Sequence, residues 1–349
     1  MLAMRGGVSV GIFTELEKMS EADRPPMAPA SHHPPLPAKR ERNKPLPWRF
    51  PKSSEDDALA PERVRRIMAS SSFSEADLDL SLLAQPRMRG IRLHLDYAKA
   101  EDILKAHGIS HTIVVFGGTR IQEPAAAVRH LDAARNALAV APFDAAAARN
   151  VRIAERVVAK SAYYEVAREF GRLVGEANRS VEAERLVIMT GAGPGIMEAA
   201  NRGAFDADAK TVGCNVKLPH PQFPNPYVTP ELCFRFHYFA IRKLHLVQRA
   251  RALVVFPGGY GTMDELFEAL ALVQTRTIAP VPIVLVGEQY WRRAVDFEFL
   301  VDEGVIDPED IELFWYAETA EEIWNGIRAW HASPGKPVQP EANISAMAP

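Results

Sequence analysis

The clearest pattern along the chain is a short apolar run that recurs and ends in glycine or proline. TIVVFGG (112–118) and RLVIMTG (185–191) share it, and ALVVF (252–256) leads straight into Pro257-Gly258-Gly259. TVGCNV (211–216) and PVPIVLVG (280–287) have the same character. Unbroken apolar, β-branched runs of this length predict strands buried on both faces, as in a parallel sheet. Helical periods lie between them. YYEVAREFGRLVGEA (163–177) sets Val166, Phe170, Leu173 and Val174 on one stripe. The alanine-rich stretch 124–160, HYFAIRKLHLVQRA (237–250) and 319–330 also read as helical. IRLHLDYAKAEDILKA (91–106) has a mixed period and predicts a helix packed on the domain that follows. Pro61 marks one helix start, and Ser74-Glu-Ala-Asp77 a second, as a capping-box-like S-x-x-D.

Strands alternating with helices at this spacing predict an α/β fold: an open, Rossmann-like parallel sheet with helices on both faces. That domain is expected over 111–335. A proline-rich tail over 1–60, with PP at 25–26 and PPLP at 34–37, is expected to be disordered. A helical extension is expected over 61–110, and a second disordered tail over 336–349.

In such sheets ligands bind beyond the carboxyl ends of the strands, where the strand order reverses. Three strands here run into glycine: Phe116-Gly117-Gly118, Thr190-Gly191-Ala192-Gly193 and Phe256-Pro257-Gly258-Gly259. One site built from three loops is therefore expected. A glycine turn at a helix N-terminus lets backbone N–H groups approach an anion, so GAGPG (191–195) and PGGYGT (257–262) suggest a phosphate-bearing ligand. Neither is a P-loop, since no Gly-Lys-Ser/Thr follows, and GAGPGIM does not fit G-x-G-x-x-G.

Two residue groups stay open on spacing alone. Thr262-Met263-Asp264-Glu265 fits the capping box T-x-x-E, in which Glu265 only bonds back to its own helix start. Spacing favours that reading over a catalytic carboxylate. Arg242, His245 and Arg249 fall on one helical face, which reads either as a solvated basic face or as Arg242 reaching the ligand. Phe239, Leu246 and Val247 are expected to pack inward, as are Leu266, Phe267 and Leu270. His220, His237 and His245 read as loop or surface residues rather than catalysts.

Composition narrows the partners. The 349 residues carry a formal net charge of -3 and are 24% charged and 47% hydrophobic. That balance argues against nucleic acid or an anionic membrane as the main partner. The basic cluster Lys39, Arg40, Arg42 and Lys44 sits in the proline-rich stretch and reads as solvated tail. Two cysteines, Cys214 and Cys233, imply neither a disulfide framework nor a zinc site. The only apolar material near the start is Val8 to Phe13, so neither a signal peptide nor a membrane span is expected, and the cytoplasm is the expected compartment.

The combination of PGGYGTMDE (257–265) with Arg242-Lys243 upstream resembles the LOG family, the cytokinin-activating proteins formerly described as possible lysine decarboxylases. The resemblance runs over about 112–330. It implies a Rossmann-like fold, an AMP-type ligand, no cofactor or metal, and nucleoside 5'-monophosphate phosphoribohydrolase activity. It also implies a homodimer or larger homo-oligomer. Arg242 and Glu265 become the catalytic pair, and Gly258, Gly259, Gly261 and Thr262 the phosphate site, with Lys243 beside it. Gly193, Gly195 and Met197 line the nucleotide pocket, Gly117 belongs to the first loop, and Arg120 adds a contact that short members lack. The alternative is a non-catalytic nucleotide- or cofactor-binding protein of the same fold. A pyridoxal-dependent decarboxylase needs a Schiff-base lysine arrangement that the sequence does not display.

Two departures from the family pattern stand out. Ala192 occupies a place where many relatives have glycine. About 40 residues, around 122–160, separate the first strand from its helix, far more than the short family form allows.

Overall fold

The computed structural model describes residues 51–178, 186–220 and 222–333. The tails expected over 1–60 and 336–349 lie outside the described residues, apart from 51–60. The chain divides into two compact units that meet between Leu78 and Asp79. The first holds α1 (Ala60–Met68), with proline in its first turn as expected. The helix start expected at Ser74 is not formed there, and Ser74 has extended backbone.

The second unit begins with α2 (Leu80–Ala84), which Asp79 caps by accepting the Leu82 N–H at 3.0 Å. It continues through α3 (Arg89–Ala106), β1 (His111–Phe116), α4 (Pro124–Val140), α5 (Ala145–Lys160) and α6 (Ala162–Ala177). Next come β2 (Leu186–Thr190), α7 (Ile196–Asp206), β3 (Thr211–Val216), β4 (Cys233–Phe236) and α8 (Phe239–Gln248). The last elements are β5 (Ala250–Val255), α9 (Tyr260–Gln274), β6 (Ile283–Val286), α10 (Glu288–Ala294), α11 (Phe297–Asp302), β7 (Phe314–Ala317) and α12 (Ala320–Ala332).

Seven strands form one parallel sheet in the order β4-β3-β2-β1-β5-β6-β7. The strand order reverses between β1 and β5, which fixes the switch point. The apolar runs are continuous because both faces are covered. Ile113, Val115, Ile188, Val254 and Val284 pack under α6, α7 and α12. Val114, Met189, Leu253 and Leu285 face the opposite layer, with Leu104 of α3, Leu246 of α8 and Leu266 of α9. Through Ala100 and Leu104, α3 packs into this core.

The five anticipated strands are present, and two more flank them. β4 and β7 are four-residue edge strands that the apolar-run pattern did not mark. The alanine-rich segment, read as helical, is a hairpin of two helices, α4 and α5.

Candidate active site

The loops after β1 and β5 are joined at the switch point. Gly118 donates its N–H to the Pro257 carbonyl, and Phe256 donates to the Phe116 carbonyl, each at 2.9 Å. The second loop, after β2, closes over them. Gly195 has φ +75°, and any Cβ there would collide with the Gly118 carbonyl. Only glycine therefore lets the second loop lie this close to the first. The three loops enclose a cavity of about 670 Å³.

A buried polar network holds the second loop. Asn225, from the proline-rich segment before β4, donates from Nδ2 to the Gly193 carbonyl and to Asn201 Oδ1, both at 3.0 Å. The Thr190 hydroxyl donates to Asn201 Oδ1 at 2.7 Å and accepts the Ala192 N–H at 3.0 Å. Ala192 adopts a left-handed φ of 59°, unusual for a residue with a Cβ. Its methyl group faces Gly213 of β3, where a Cβ would come within 2.7 Å of it.

The capping box expected at Thr262 and Glu265 is not formed. The helix starts earlier, with Gly259 as N-cap, and the Thr262 and Met263 N–H groups both bond the Gly259 carbonyl at 3.0 Å. Thr262 is thus in the first turn and Glu265 a full turn inside. No side chain caps this end. The N–H groups of Tyr260 and Gly261 have no carbonyl one turn back to bond, and the helix dipole makes this end positive.

Glu265 is 5% exposed and points to α8, where its Oε1 accepts from Arg242 Nη1 at 3.2 Å. Arg242 also donates through Nε to the Cys214 carbonyl of β3 at 2.8 Å. This guanidinium therefore bridges a strand end and the carboxylate. Gly191 gives it passage, since a Cβ there would lie 2.7 Å from Arg242 Nη2. Burial pushes the Glu265 carboxyl above the usual carboxylate range, against the opposing pull of Arg242 and Lys243. Burial likewise pushes the Cys214 thiol up to about 12, and both cysteines are free.

The site residues named from the sequence fall into two groups. Gly117, Arg120, Met197, Arg242, Gly258, Gly259, Gly261, Thr262 and Glu265 all line the cavity. Lys243, Gly193 and Gly195 do not. Lys243 turns to the acidic face of α9, with Nζ 2.8 Å from Asp264, 2.9 Å from Glu268 and 3.9 Å from Glu265. Burial disfavours its charge, but the hydrogen bonds to Asp264 and Glu268 prevail and hold its pKa above the ordinary lysine value. Gly193 and Gly195 shape the loop from behind.

The basic face of α8 is not solvated. His245 is fully buried, stacked on Tyr97 of α3, and Arg249 bonds Glu101 at 2.6 Å. Phe239 and Phe267, expected inside, are 50% and 40% exposed. Phe239 instead forms part of the cavity wall, with its ring centroid 5.9 Å from the Arg242 guanidinium carbon. Other wall residues escaped the sequence reading: Tyr290 of α10, and Ile153, Arg156, Val157 and Lys160 of α5. Only the spacing 153, 156, 157, 160, one turn-and-return face of a helix, hinted at the latter set.

Among the described residues, no group of three or more His, Cys, Asp or Glu is placed to hold a metal ion, and no helix is long and apolar enough to cross a membrane.

The family model described as "Possible lysine decarboxylase" matches residues 197–327. Cytokinin riboside 5'-monophosphate phosphoribohydrolase LOG3 of Arabidopsis thaliana is 27% identical over 169 residues, 47% of this chain and 74% of that protein. The pyrimidine/purine nucleotide 5'-monophosphate nucleosidase of Escherichia coli strain K12 is 27% identical over 136 residues. That match covers 35% of this chain and only 28% of the nucleosidase. Among solved structures, the X-ray structure of the structural-genomics target TM1055 aligns over 63% of this chain and 99% of its own, at 20% identity and a TM-score of 0.37. The family model and both sequence relatives agree with the resemblance read from Arg242-Lys243 and PGGYGTMDE: over this region the chain is similar to the LOG family.

Proposed function

We propose that this protein hydrolyses the N-glycosidic bond of nucleoside 5'-monophosphates, AMP-like nucleotides first, to give free base and ribose 5-phosphate. The observation that carries the reading is the buried Arg242–Glu265 pair on the wall of a cavity that also holds the uncapped α9 N-terminus. The names of the two sequence relatives support the same reaction class.

In this reading the 5'-phosphate seats against the Tyr260 and Gly261 N–H groups, with the Thr262 hydroxyl beside them. That contact is remote from the bond that breaks and serves to position the sugar. As the C1'–N bond lengthens, positive charge develops on the ribose, and the Glu265 carboxylate stabilises it or takes a proton from the attacking water. Water oxygen joins C1' as the C1'–N bond breaks, and the proton that the water gives up ends on the departing base nitrogen. Arg242, itself on the cavity wall, holds Glu265 in place. The same reading has 111–335 as the catalytic domain of a cytoplasmic homodimer or larger homo-oligomer, working without a cofactor.

Incubation with a panel of nucleoside monophosphates, followed by chromatography for free base, tests this. The wild type releases base and Glu265→Gln does not. Equal release by both proteins removes Glu265 from catalysis. No release from any monophosphate returns the protein to the reading of a nucleotide- or cofactor-binding protein.

A further inference from the structure

The α4–α5 hairpin fills the long segment between β1 and α6, and α5 turns one face to the cavity. Ile153, Arg156, Val157 and Lys160 line it at i, i+3, i+4 and i+7. On an ordinary surface helix this stripe would face a core. Here Ile153 remains 51% exposed, so the face is open to whatever enters the cavity.

Charges on the wall are unevenly matched. Six charged residues line the cavity: Arg120, Arg156, Lys160, Arg242, Asp264 and Glu265. Arg242 pairs with Glu265, and Asp264 with Lys243. Among the described residues, Arg120, Arg156 and Lys160 have no carboxylate within ion-pair distance. These three cations share the cavity with a helix N-terminus that can already hold one phosphate. A cavity of about 670 Å³ sits near the middle of the ~300–1,000 Å³ range of ligand clefts, which leaves room beyond a single phosphate.

We propose that the α4–α5 hairpin is a recognition wall for a second anionic group, so that a nucleotide with a second phosphoryl group binds more tightly than one with the 5'-phosphate alone. One sits at the α9 N-terminus, and the other is held by Arg156 and Lys160 with Arg120. Ile153 and Val157 share the cavity-lining face with Arg156 and Lys160 and pack on the apolar part of the ligand. The proposal rests on the nucleotide reading of the site but not on hydrolysis.

Equilibrium binding to the full chain by calorimetry tests it, with adenosine 5'-monophosphate, adenosine 5'-diphosphate and adenosine 3',5'-bisphosphate as probes. At least one two-phosphoryl probe is expected to bind about tenfold more tightly than the monophosphate, the effect of one or two charge-assisted contacts. Arg156→Ala/Lys160→Ala should lose that gain and keep its monophosphate affinity. Monophosphate binding with no gain from a second phosphoryl group overturns the proposal alone. So does a double variant that weakens all three probes equally, because the wall would then serve the same phosphate. Absence of binding by all three probes overturns the nucleotide reading with it. Preferential binding without base release leaves the wall standing and removes the hydrolase. Unchanged thermal unfolding of the double variant shows that the fold is kept.

Discussion

Arg242 and Glu265 meet across 3.2 Å although they lie 23 positions apart in the chain, and β5 runs between their two helices. The carboxylate lies on α9 and the guanidinium on α8, so neither helix alone carries the pair. The ionisation of Glu265 is set by burial on one side and by two cations, Arg242 and Lys243, on the other.

The ionised form of Glu265 is the active one in the proposed reaction. Its pKa is raised, so kcat/KM should fall as pH is lowered through a value above the ~4.3 of a free glutamate side chain. Lys243 opposes that rise without lining the cavity. Lys243→Met should therefore move the acid limb of the pH–rate profile to higher pH. Glu265→Gln should remove the limb and lower kcat by about a thousandfold. An acid limb left in place by Lys243→Met would break the link between this carboxyl and turnover.

Gly261 separates ligand binding from stability. A Cβ at this position meets nothing within 4 Å, and the residue lies in the first turn of α9. Gly261→Ala should stabilise the fold by up to about 1 kcal/mol through helix propensity. The methyl group projects where the phosphate is proposed to sit, so KM should rise several-fold. Thermal unfolding and steady-state kinetics on the same preparation read both effects.

Asn225 serves the site through the loop it holds. Asn225→Ala removes the donor to the Gly193 carbonyl and to Asn201 Oδ1 in a buried setting. A loss of about 1–3 kcal/mol is expected in urea unfolding, the cost of leaving buried acceptors unmatched. Asn225→Asp should not rescue it, because a carboxylate cannot donate.

His245 sets an acid limit to stability. Burial lowers its pKa, with the Arg249 charge acting in the same direction, while the Tyr97 carbonyl, Glu101 and Asp96 oppose the shift. The unfolded chain binds a proton near pH 6.5 that the folded chain resists. Stability should therefore be flat above that pH and fall as pH drops below it, down to the lowered folded pKa. His245→Leu loses the Tyr97 contact, but it should flatten the slope of unfolding free energy between pH 8 and 5.5. An unchanged slope would assign the acid sensitivity to another group.

What could be read from the residues follows from how local each cause is. The central strands announce themselves because burial on both faces leaves no polar positions in runs such as Ile113 to Phe116. β4 is less legible, since Arg235 points to solvent from an edge strand and breaks the run. The meeting of three glycine loops was foreseeable, because parallel strands all deliver their loops to one edge. The true start of α9 was not, because Gly259 caps without a side chain and left Thr262 as the visible candidate. The burial of His245 and Arg249 depends on Tyr97 and Glu101, residues 148 positions earlier in each case, beyond the reach of local periodicity. The α5 wall had the same difficulty, as an isoleucine facing a cavity has the spacing of one facing a core.

The pairing of β1 with β5 has a consequence for the order in which the molecule is completed. Thr112 aligns with Ala250, so the two central strands join across a long intervening stretch of chain. Strands β1 to β4 can assemble as synthesis proceeds, but the cavity needs the loop after β5, and such distant pairings form late. A growing chain has no ligand site until most of it has been made. Ligand, by mass action, then stabilises finished molecules and none of their precursors.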